Sequence, residues 1–184
     1  MDIGKNFRDG FEVIKKNLVE AVVGYILMGI VAVLSLGVLA PVVYTGYILM
    51  LLKAKRKKAI SVNDIFSALP RFWALWGLSS VIFLVCFLLS LTIIGIIPAV
   101  FLGTWWMYSI FFLVDKKQKV FEAMGSSAAL VRKNNVWLHI LFLIMLSVVN
   151  NIGAYVFFVG ILFTGPLAAA AYAAAYDNLA VRKK

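Results

Sequence analysis

The chain has 184 residues, of which 64% are hydrophobic and 14% charged, and it carries a formal net charge of +10. Soluble domains hold about 25% charged residues, and a soluble domain of this length could not hide so much apolar surface inside itself. A soluble enzyme or binding module is therefore excluded, and an all-α, multi-pass membrane protein is expected.

Three runs without a charged side chain set the plan: Ala21–Leu52 (32 residues), Phe72–Val114 (43) and Asn134–Tyr176 (43). A bilayer-crossing helix takes about 20 apolar residues, so the second and third runs each fit two crossings. The first fits two only if Leu18, Val19 and a near-surface Glu20 are included, which leaves open whether its hairpin fully spans.

In chain order, residues 2–17 place Ile3, Phe7, Phe11 and Ile14 at helical spacing among Lys5, Arg8, Asp9, Glu12, Lys15 and Lys16. Such a helix lies in the membrane interface with its apolar face down. The segment lacks the short apolar core and cleavage site of a leader, so the first crossing, Leu18–Leu36, is expected to insert the chain itself. Gly37 and Pro41 close the first turn, since proline cannot donate to a continuing helix. The return arm Pro41–Leu52 ends in Lys53–Lys58 (KAKRKK).

The plan then repeats. Val62, Ile65, Phe66, Leu69 and Phe72 form the stripe of a short helix that Pro70 bends into the membrane, with Trp73 and Trp76 in an interfacial belt. A crossing runs to about Ile94, breaks between Gly95 and Pro98, and returns from Pro98 to Val114. In the third unit Val120, Phe121, Met124, Ala128 and Val131 make the stripe and Trp137 marks the membrane boundary. The fifth crossing reaches about Phe158, the turn falls at Phe163–Gly165, and a return arm rich in alanine and tyrosine follows Pro166.

This predicts six transmembrane helices as three amphipathic-helix-plus-hairpin units, about 1–58, 59–116 and 117–184, within a single membrane domain. Aligned on the turn prolines, Gly46, Gly103 and Ala171 fall in register and are expected to make equivalent close helix contacts. All 18 lysines and arginines lie in Lys5–Lys16, Lys53–Arg71, Lys116–Lys133 and Arg182–Lys184. None lies in a turn between hairpin arms, so both termini and both basic loops are expected in the cytoplasm.

The chemistry-bearing residues are few. The single cysteine, Cys86, cannot form an internal disulfide. His139 stands alone beside Trp137 and reads as an interfacial or core residue. No metal-ligand spacing or converging acid, base and nucleophile is present, so neither cofactor nor reaction is expected. The lysines and arginine Lys55, Arg56, Lys57, Lys58, Lys116, Lys117 and Lys119 have two readings. They set orientation only, or they also contact anionic lipid headgroups. Thr104, Tyr108, Asn150 and Asn151 lie within expected crossings, where they either bond between helices or line a polar interior.

Three stretches together carry a resemblance: FEVIKKNLV (Phe11–Val19), the Gly95–Pro98 turn, and Val120–Leu138 with Ala123, Ser127, Leu130, Asn134 and Trp137. In these the chain resembles bacterial and archaeal six-helix membrane protein families, including the membrane domain fused to some glycerophosphoryl diester phosphodiesterases. The resemblance implies a six-helix fold in the cytoplasmic membrane and no particular reaction; the phosphodiesterase catalytic residues are not in this chain. The expected function is non-enzymatic: lipid interaction or membrane organisation, with a homo-oligomer or another membrane protein as further partners and no nucleic acid. The alternative is a small transporter or the substrate-binding membrane subunit of an uptake system. Against it, Ala21 and Tyr25 do not supply the small-x-x-x-small motif such subunits carry in their first helix. A lipid-modifying enzyme is a third reading.

Overall fold

The computed structural model describes residues 1–155 and 160–180. The expected end of the fifth crossing at Phe158 and the basic block Arg182–Lys184 lie outside the described residues. The chain is all-helical among those residues: α1 (Ile3–Lys16), α2 (Leu18–Leu34), α3 (Ala40–Lys55), α4 (Phe72–Ser90), α5 (Ile93–Trp106), α6 (Ser109–Val114), α7 (Val120–Lys133), α8 (Val136–Tyr155) and α9 (Ile161–Ala180). It divides into two compact units. A middle unit holds Arg71–Leu143, and a terminal unit holds Asp2–Pro70 with Ile144 onward.

Three stretches, Val62–Ser90, Ile93–Val114 and Val136–Gly153, are long and apolar enough to cross a membrane. A fourth is added if α1 and α2, bent by 96° at their junction, count as one span. Their surfaces agree with a lipid surrounding. Along α4 only Leu75 and Leu78 are buried, and Phe83, Leu84, Phe87 and Leu88 are 50–69% exposed. A helix apolar on every side with those sides uncovered by protein needs an apolar solvent.

The remaining two expected crossings differ for physical reasons. Helix α3 ends in Lys53-Ala54-Lys55, which leaves an apolar length of about 20 Å at 1.5 Å per residue, short of a core about 30 Å thick. Helix α9 is long enough, but alanines, two tyrosines, Asp177 and Asn178 make it much less apolar. Gly165, Pro166, Ala168 and all of Ala170–Tyr176 are buried. These two helices face protein.

In the terminal unit, α1 starts at Asp2, whose carboxylate accepts from the Lys5 amide at 2.9 Å. It ends where the Asn17 side chain donates to the Val13 carbonyl at 3.0 Å. The face it turns to protein overlaps the apolar stripe only at Ile14. Asn6, Gly10, Val13 and Ile14 are buried, α1 lies against α9, and Phe11 is 58% exposed. Gly10 makes this approach feasible: a Cβ there would stand 2.6 Å from the Ala171 backbone nitrogen. Tyr47, fully buried, donates to the Ala21 carbonyl at 3.0 Å and joins α3 to α2. Gly46 faces the Ile65 carbonyl so closely that a Cβ would collide with it. Residues Val62–Phe66 and Leu69–Arg71 form two 3₁₀ turns instead of the single short helix expected.

In the middle unit the helix break lies at Leu91–Thr92, not at Pro98. Thr92 caps α5 by accepting from the Gly95 amide at 3.0 Å, and Pro98 sits inside α5. Pro166 likewise sits inside α9, so the expected turn Phe163–Gly165 is helical. Nothing lies within 4 Å of a Cβ placed on Gly103. Gly46, Gly103 and Ala171 therefore do not have equivalent neighbours: a carbonyl, open space and the α1 backbone respectively.

Candidate anion-binding cleft

The run Lys53–Lys58 is continuous in sequence and divided in space. Three of its cations are held by carboxylates from three different elements of the terminal unit. Lys53 Nζ meets Asp64 at 2.7 Å, Lys55 Nζ meets Asp9 at 2.7 Å, and Arg56 Nε meets Asp177 at 2.8 Å. Of the expected headgroup contacts, Lys55 and Arg56 are thus already engaged within the protein. Lys57 and Lys58 have no carboxylate partner among the described residues.

The backbone at this point is unusual. Helix α3 ends with the Lys57 amide on the Ala54 carbonyl at 2.9 Å and the Lys58 amide on the Lys53 carbonyl at 3.0 Å. This cap needs one residue in the left-handed region, the place glycine normally takes. Here it is Lys57, with φ of 55°. Lys117, just after α6, adopts φ of 54° in the other basic loop. Left-handed backbone costs a non-glycine residue about 1–2 kcal/mol, so each lysine holds its position at some expense in stability.

Beside Lys57 lies a cleft of about 420 Å³. One wall is α1, through Asp9, Glu12, Val13, Lys16 and Asn17; the other is the end of α3, through Ala54, Lys55, Lys57 and Lys58. Asp9 and Lys55 neutralise one another. Lys16, Lys57 and Lys58 then face a single remaining acid, Glu12, which leaves the cleft at +2. Burial alone would raise the Asp9 carboxyl. Hydrogen bonds from Lys55 and Asn178, and the charges of Lys55 and Lys5, outweigh it and hold Asp9 below the usual carboxylate range. Asn178 ties α9 into the same corner, donating to Asn6 Oδ1 and to Asp9 Oδ2, both at 2.9 Å.

The second basic loop is open. Lys116, Lys117 and Lys119 are all exposed, and the loop is fixed by Arg71, which donates to the Gln118 carbonyl at 3.2 Å. The Lys119 amide donates to Glu122 at 3.3 Å at the start of α7.

The four intramembrane polar residues fall into different units. Thr104 and Tyr108, both buried, belong to the middle unit; Asn150 and Asn151 belong to the terminal unit. Thr104 Oγ1 donates to the Val100 carbonyl of its own helix at 2.7 Å. Asn151 is exposed and donates to the Ser147 carbonyl at 2.8 Å. Asn150 is half-buried. Ser127, which enters the sequence reading only as part of the resemblance, binds the interruption between α5 and α6. Ser127 Oγ accepts from the Tyr108 amide at 3.1 Å and donates to the Trp105 carbonyl at 2.6 Å, pairing two backbone groups freed by the break. His139 is fully buried; its Nδ1 lies 2.9 Å from the Asn135 carbonyl and so carries the proton. Among the described residues, no group of three His, Cys, Asp or Glu side chains is placed to hold a metal.

The chain matches no protein-family model, no curated protein and no solved structure.

Proposed function

We infer that this is a non-enzymatic integral protein of the cytoplasmic membrane that holds anionic lipid headgroups on its basic face. In this reading the chain forms three hairpins of one orientation, with six crossings and both termini in the cytoplasm. The Arg56–Asp177 pair supports that arrangement, because it sets the C-terminal ends of α3 and α9, two return arms, side by side. Both arms are covered by protein and need less apolar surface than a lipid-facing span.

The observation that carries the headgroup reading is the +2 cleft between α1 and the end of α3, with Lys16, Lys57 and Lys58 uncompensated. A phosphate in that cleft meets three exposed lysines that no carboxylate of the described residues has claimed. Lysines near a membrane surface each attract anionic lipid by about 1 kcal/mol. The test is to purify the full chain and its Lys16→Gln/Lys57→Gln/Lys58→Gln variant and analyse the retained lipid. A control variant, Arg8→Gln/Lys15→Gln/Lys133→Gln, removes the same charge elsewhere. Anionic phospholipid should fall in the cleft variant and persist in the control. Equal retention in all three proteins would reduce the basic loops to an orientation signal.

One observation favours the transporter reading. The stretch Ile93–Val114 is interrupted at Met107–Tyr108, and discontinuous helices mark substrate sites in many transporters. Ser127 fills both freed backbone positions, however, and that supports a packing role for the interruption.

A further inference from the structure

We propose that the α1–α3 cleft recognises a phosphomonoester, a terminal phosphate carrying two charges, in preference to a phosphodiester headgroup. This rests on the headgroup reading above and goes further by naming the chemistry selected. Two features support it. The first is charge: with Asp9 on Lys55, the cleft retains Lys16, Lys57 and Lys58 against Glu12. A diester brings one negative charge and leaves the cleft positive, whereas a monoester brings about 1.5 to 2 at neutral pH.

The second is the donor set. Arg56, the guanidinium of the run, is engaged by Asp177, so the free cations at the cleft are lysines alone. Each ammonium offers three rotatable donors and no fixed planar fork. Three such groups suit the three terminal oxygens of a monoester better than the two of a diester.

A phosphomonoester reaches this cleft either as a lipid headgroup or as a soluble molecule. The experiment titrates the full chain in neutral detergent, read by native mass spectrometry. Its probes are dioleoyl phosphatidic acid, dioleoyl phosphatidylglycerol and glycerol 3-phosphate. At about pH 7.5 phosphatidic acid should bind roughly fivefold or more tightly than phosphatidylglycerol, and the preference should shrink towards about pH 5 as the monoester takes up its second proton. Lys16→Gln/Lys57→Gln/Lys58→Gln should abolish the preference. Lys57→Gly, which relieves left-handed backbone and so folds at least as well, should reduce it. Competition by glycerol 3-phosphate would support the same chemistry with a soluble ligand; failure to compete, beside preferred phosphatidic acid, would support the lipid. Equal, pH-independent binding of the two lipids, lost in the triple variant, would overturn the monoester selection and leave the headgroup reading standing. Binding of neither lipid, or binding undiminished in the triple variant, would overturn both.

Discussion

Asp9 and Lys55 meet at 2.7 Å, and the pair both docks α1 on α3 and cancels one of the four lysines that line the cleft. Their side chains are 14% and 21% exposed, intermediate between a surface pair worth about 0–1 kcal/mol and a buried pair costing about 3–5 when one partner is removed. Asp9→Asn should accordingly destabilise the protein by about 1–3 kcal/mol. The measurement is thermal unfolding in one detergent, with faster amide exchange along α1 as the local signature.

The same carboxylate gives a pH response whose sign follows from its environment. Asp9 is held below its ordinary value of 3.8 in the folded protein, so the unfolded chain takes up the proton first as pH falls. Its contribution is fully present above that ordinary value and is lost as pH drops through it towards the lower folded value. Amide exchange along α1, corrected for the intrinsic rate, should quicken between about pH 5 and 3 in the wild type. The quickening should be smaller in Asp9→Asn, where only the Asp2 cap of α1 still takes up a proton.

Glycines at two positions aligned by sequence should respond with opposite signs. Gly103→Ala meets nothing within 4 Å and fills a helix interior, so it should stabilise by about 0.5–1 kcal/mol. Gly46→Ala drives a methyl into the Ile65 carbonyl and Gly10→Ala drives one against the Ala171 backbone. Each should cost about 1–3 kcal/mol. Melting temperatures of the three variants decide it, and the same sign at Gly46 and Gly103 would restore the equivalence the structure lacks.

The helices that periodicity and caps define were legible in the sequence. Helix α1 follows from its charged and apolar spacing, and α7 runs from Val120 as its stripe predicts. What escaped the sequence depends on partners far along the chain. The residues KAKRKK look like one uniform charge block, yet Arg56 is neutralised by Asp177, 121 residues away, and Lys55 by an acid on α1. Which face α1 turns to protein is not legible in the sequence, because Asn6 is a poor core residue until Asn178 satisfies it and Gly10 has no visible purpose until Ala171 lies against it. The break before α5 was assigned to Pro98 because proline is the loudest local signal. Thr92 ends the preceding turn with one hydroxyl, and Pro98, although it costs a backbone bond and crowds the carbonyl four residues back, is held inside the new helix.

Lys57→Gly separates stability from binding. Glycine takes the left-handed cap without strain, so the variant should be more stable by about 1 kcal/mol. It also removes one of three uncompensated cations at the cleft, so anionic lipid should be held less tightly. A lysine present for the cap alone would give a more stable protein with unchanged lipid binding.

Ser127 should matter more than its size suggests. Its hydroxyl pairs the Tyr108 amide and the Trp105 carbonyl at the interruption between α5 and α6, within a stretch apolar enough to cross a membrane. Ser127→Ala removes both of these buried hydrogen bonds, at about 1–3 kcal/mol. Ser109 is an internal control. It is buried two residues from the start of the break, and its hydroxyl has no hydrogen-bond partner among the described residues. Ser109→Ala removes an unsatisfied polar atom and should be neutral or slightly stabilising. If Ser127 serves packing alone, as the paired geometry implies, Ser127→Ala should lower the melting temperature while Ser127→Thr, which keeps the hydroxyl, restores part of it. Headgroup binding should be unchanged in both variants, since Ser127 lies in the middle unit and the cleft residues in the terminal one.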